Sequence, residues 1–66
     1  MTKGIIATLG ERNSGFIRIE ASGEDLFFHA DALANGPFSE LRIGDTVQCT
    51  RTESRKGPYA TRVERM

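Results

Sequence analysis

The chain has 66 residues, and its nine Lys or Arg are balanced by nine Asp or Glu, giving a formal net charge of zero. That length holds one domain, residues 1–66, with a small core and no room for a second. A neutral chain exerts no overall field on a polyanion, so any nucleic-acid site has to be a local patch.

The single cysteine, Cys49, forms no internal disulfide. A domain this small in an oxidising compartment ordinarily carries several bridges, so a reducing, cytoplasmic setting is expected. Runs such as Gly4-Ile5-Ile6-Ala7 are far too short to span a membrane, and Met1-Thr2-Lys3 leads into no signal-peptide core. The expectation is a soluble, unprocessed, free-standing chain.

Five short apolar stretches recur between turn residues: Lys3 to Leu9, Gly15 to Glu20, Asp25 to His29, Thr46 to Thr52 and Tyr59 to Glu64. Each reads as a strand. The segments Gly10 to Gly15, Ala21 to Glu24 and Lys56-Gly57-Pro58 carry turn chemistry and predict hairpin loops. Asp31 is placed to cap one helical turn after the third strand, and a long connection, Asn35 to Glu40, follows. Five short strands with one long crossover suit a closed antiparallel barrel, which removes the sticky edges an open sheet would leave.

Successive side chains on a strand point to opposite sides. Ile17 and Ile19 therefore share a core face with Leu26 and Phe28, while Phe16, Arg18 and Glu20 share the opposite face with Phe27 and His29. Rings mixed with charges are a poor core and a good surface for stacking unpaired bases, at about 1–3 kcal/mol per base whatever its identity. Cys49, alternating with Val47, reads as a small buried hydrophobe.

The run Gly15-Phe16-Ile17 followed by Asp25-Leu26-Phe27-Phe28-His29 resembles the paired ribonucleoprotein-type motifs of the cold-shock domain family. The likeness continues in Lys3-Gly4-Ile5-Ile6, in Leu41 with Gly44-Asp45-Thr46-Val47, and in Lys56-Gly57-Pro58 with Ala60 and Val63. The resemblance implies a five-stranded oligonucleotide-binding (OB-fold) barrel, all-β, that binds single-stranded RNA or DNA with little sequence preference and catalyses nothing. It implies stacking rings at Phe16, Phe27, His29 and Phe38. It also supports Lys56 as a phosphate contact, joined by Arg12 and Lys3, with Arg18 and Tyr59 as further planar groups on or beside the face.

Several rings of that pattern are missing. Where the family's opening strand usually ends in Lys-Trp-Phe-Asn, this chain has Ala7-Thr8-Leu9-Gly10, and the aromatics normally flanking the two motifs are Ser14 and Ala30. Three absent stacks lower the expected affinity by several kcal/mol if additive, and each 1.4 kcal/mol is tenfold.

Catalysis finds no support in the sequence. One histidine and one cysteine twenty residues apart make no metal set, Glu24-Asp25 has no nucleophile beside it, and no cofactor is expected. Two functions remain open. One is a single-strand binder acting as an RNA chaperone or expression regulator. The other is a degenerate barrel that binds a protein or self-associates, a monomer able to swap strands about a hinge at Ala34 to Glu40.

Overall fold

The computed structural model describes residues 1–66. Five strands form in the expected order: β1 (Thr2–Gly10), β2 (Ser14–Ile19), β3 (Asp25–His29), β4 (Thr46–Ser54) and β5 (Gly57–Arg65). They close into a barrel in which the neighbours run β1-β2-β3-β5-β4 and back to β1. Short 3-10 turns occupy Glu11–Asn13, Ala30–Ala32 and Phe38–Glu40.

Four of the five pairings are antiparallel, as alternation and turn lengths predict, but β3 and β5 run parallel through Phe27 and Tyr59. The expectation of a wholly antiparallel barrel is corrected here, and the reason is parity. Direction cannot alternate all the way round a closed ring of five, so one adjacent pair must share its direction. The long crossover from β3 to β4 assigns that pair to β3 and β5.

The inward residues follow the period of two. Ile17 and Ile19 of β2, Leu26 and Phe28 of β3, and Val47 and Cys49 of β4 are each at most 5% exposed. Ile6, Leu41, Ala60 and Val63 complete the same cluster. Gly15 lets β1 approach: a Cβ there would clash with the Thr8 carbonyl and lie 3.1 Å from the Phe28 ring.

Two local expectations are corrected. Lys56-Gly57-Pro58 is not a loop, because the arms of the last hairpin run up to a two-residue turn, Arg55-Lys56, with Gly57 and Pro58 already paired in β5. Ser54 closes that turn. Its hydroxyl accepts from the Lys56 N–H at 3.2 Å and donates to the Gly57 carbonyl at 2.8 Å. The helical turn after β3 begins at Ala30 and is capped by His29, not by Asp31. Asp31 sits one step too far into the turn and supplies the N–H instead, which the His29 Nδ1 accepts at 3.1 Å.

The crossover is tied down along its length. Ala34 donates to the Val63 carbonyl at 2.8 Å, Asn35 Oδ1 accepts from the Arg65 N–H at 3.1 Å, and Glu40 pairs with Arg65 at 3.0 Å. At one end of the barrel Arg51 of β4 reaches the β2–β3 turn, binding Glu24 through Nε at 2.6 Å and Nη2 at 3.0 Å while also meeting Glu53 at 2.9 Å. These charge-assisted bonds hold the Glu24 carboxyl below its ordinary range. No helix is long and apolar enough to cross a membrane.

Candidate nucleic-acid interface

Strand register places the outward side chains in rows. Thr8 lies opposite Phe16, Phe16 opposite Phe27, Phe27 opposite Tyr59 and Tyr59 opposite Thr52, so one row crosses all five strands. Its middle three members are rings. Phe16 and Phe27 are 43% and 45% exposed and meet edge to face, with centroids 5.8 Å apart and planes at 74°. Each keeps a face turned to solvent because its strand neighbours, Ile17 and Phe28, already fill the inside.

A groove of about 590 Å³ opens beside this row, lined by Phe16, Phe27 and Tyr59 with Ser54, Lys56 and Pro58 from the last hairpin. On the other side of Phe27 and Tyr59 lies a smaller hollow of about 270 Å³ that includes His29, Asp31 and Thr61. The His29 Nδ1 accepts the Asp31 N–H, and the Asp31 carboxylate lies 3.5 Å from the same nitrogen. A ring that accepts at Nδ1 carries its proton on Nε2, so His29 offers a donor to the surroundings.

The cations divide by partner. Arg18, Arg51, Arg62 and Arg65 are each ion-paired. Lys3, Arg12, Arg42, Arg55 and Lys56 have no ion-pair partner, and Lys56 lines the main groove. Arg12 is exposed on the β1–β2 turn, where its φ of 62° lets the chain reverse in three residues.

The expected site residues therefore separate. Phe16, Phe27, Tyr59 and Lys56 share one groove, and His29 borders the adjoining hollow. Arg18 is on the same face but paired with Asp25 at 3.1 Å. Lys3 and Arg12 are exposed and line neither groove. Phe38 packs inward: it is half-buried against the core, 6.2 Å from the Phe28 centroid, and also lines neither.

Local sequence patterns leave Tyr59 beside the face and give no sign that Pro58 lines it. The missing signal was the parallel closure of β3 on β5, which no local pattern encodes. The same barrel brings no three metal-ligating side chains together.

Comparison with known proteins agrees with this geometry. The family described as "'Cold-shock' DNA-binding domain" matches residues 2–66. The chain is 34% identical over 56 residues to the cold shock-like protein CspLB of Listeria monocytogenes, covering 85% of this chain and 83% of that one. It is 36% identical over 50 residues to the cold shock protein CapA of Pseudomonas fragi, covering 76% and 78%. It is 36% identical over 62 residues to the cold shock-like protein CspE of Buchnera aphidicola, covering 92% and 90%. A five-stranded closed barrel, a family match over nearly its whole length and relatives similar over 76% to 92% of it together place the chain in the cold-shock domain family.

Proposed function

We propose that this chain binds single-stranded RNA or DNA by stacking unpaired bases on Phe16, Phe27 and Tyr59, with Lys56 meeting the phosphate backbone. The observation that carries the reading is the row of three outward rings beside a groove that ends on an unpaired lysine. Every base has a π-face, so such a row tolerates sequence. His29 adds a donor at the edge of the row. Arg55 and Arg12 extend the positive surface beyond it, Lys3 and Arg18 contribute less, and Phe38 offers only the part of its ring that packing leaves free.

Affinity is weaker than a full platform gives, because the row ends on Thr8 and the positions flanking the two motifs are Ser14 and Ala30. Weak, quickly exchanging contacts suit a chaperone that captures transiently opened strands without an energy source. The reading is of a binding protein of cold-shock type, not of a catalyst.

Fluorescence anisotropy with labelled oligo-dT, oligo-U and oligo-A, and with a duplex of equal length, tests this. Binding to all three single strands and none to the duplex at the same concentration is expected. Absence of single-strand binding at low salt overturns it.

A further inference from the structure

The hollow of about 270 Å³ beyond Phe27 and Tyr59 differs in charge from the groove that Lys56 lines. Phe28, Ala32 and Ala60 give it apolar walls, and its polar side chains besides Tyr59 are His29, Asp31 and Thr61. Asp31 is its one acid, and no Lys or Arg lines it. A phosphate would therefore meet a negative group there with no cation beside it, whereas the neutral edge of a base would meet an acceptor.

The Asp31 carboxylate is almost wholly exposed, and no Lys or Arg pairs with it. Its ionisable neighbour is His29 Nδ1 at 3.5 Å. That nitrogen already accepts the Asp31 N–H at 3.1 Å, so it brings no proton to the carboxylate. Two acceptors thus lie side by side, and both carboxylate oxygens stay open to a ligand. The same hydrogen bond ties the imidazole to the Asp31 backbone, which keeps the carboxylate beside the ring and at the edge of the stacking row.

An ionised carboxylate can only accept, so it distinguishes bases by the donors they present. Uracil and thymine offer one ring N–H, and adenine and cytosine one amino group. Guanine offers N1–H and its 2-amino group side by side, a pair that matches two carboxylate oxygens much as the guanidinium fork does. Unpaired bases held by stacking leave this Watson–Crick edge free to be read.

We propose that the hollow beside His29 takes an unpaired guanine, whose N1–H and 2-amino group donate to the two Asp31 carboxylate oxygens while its ring stacks at the His29 end of the row. This rests on the stacking reading above and adds a preference at one position to binding that otherwise tolerates sequence. Asp31 is then the residue that determines specificity.

Anisotropy at low salt tests this with three labelled strands of equal length: oligo-dT, the same strand with one central dG, and the same strand with deoxyinosine in that place. One bidentate pair at an exposed position is expected to make the dG strand bind about fivefold tighter than oligo-dT, or more. Deoxyinosine keeps N1–H but lacks the 2-amino group, and is expected to lose most of that gain. Asp31→Ala, with its fold verified by circular dichroism, is expected to bind the dG strand and oligo-dT alike. Three results overturn the assignment while leaving the stacking reading intact: oligo-dT binding with no gain from dG, a gain that deoxyinosine retains, or a gain that survives Asp31→Ala as stronger purine stacking would. A chain that binds none of the strands overturns both.

Discussion

Phe27 and Phe28 are adjacent in sequence and opposite in burial, 45% and 1% exposed. The difference is one step of a strand, and it separates a ring that stabilises the fold from a ring free to stack. Phe38 belongs with the former, since it packs on Phe28 from outside the strands. Phe38→Ala is expected to lower unfolding free energy by about 1–3 kcal/mol, less than a fully buried phenylalanine costs, and to change oligonucleotide affinity less than Phe27→Ala does. Urea unfolding and anisotropy on the same protein check both halves. Cys49 is fully buried in the core, and burial raises its thiol pKa above the ordinary value. Its thiol is expected to react with an aromatic disulfide reagent at the rate of unfolding, and much faster in denaturant.

At the scale of elements, the sequence shows where strands begin and which face they bury, because a period of two and turn residues are local signals. Phe16, Phe27 and the core set Ile17, Ile19, Leu26 and Phe28 were legible for that reason. Contacts between distant segments were not. The parallel pair Phe27 and Tyr59 and the clamp from Arg51 to Glu24 both depend on how the barrel closes. The clamp joins β4 to the β2–β3 turn, elements that are not neighbours in the ring. Glu24 has its pKa lowered by Arg51, so the stability it adds is present above its unfolded value of 4.5 and is lost as pH falls through the lower folded value. Glu24→Gln is therefore expected to lower Tm by a few degrees at pH 7, with the gap to wild type closing as pH falls below about 4. Thermal melts at several pH values measure this, and a gap that persists into acid contradicts it.

For the whole molecule, zero net charge and a few unpaired cations imply a particular salt response. Two or three phosphate contacts, drawn from Lys56, Arg55 and Arg12, give a slope of log affinity against log salt of about −1.4 to −2.1 for a single strand. A markedly steeper slope in a salt titration indicates a wider footprint than these residues provide.

In the proposed binding mode the outward rings of β2, β3 and β5 hold the bases, and Phe27 stands in the middle of them. Anisotropy titrations of wild type and Phe27→Ala with the same labelled oligo-dT at low salt test it most directly, with circular dichroism confirming that the barrel is intact. A loss of about 1–3 kcal/mol, roughly 5-fold to 150-fold in affinity, is the expected result. An unchanged dissociation constant in a folded Phe27→Ala protein contradicts the claim.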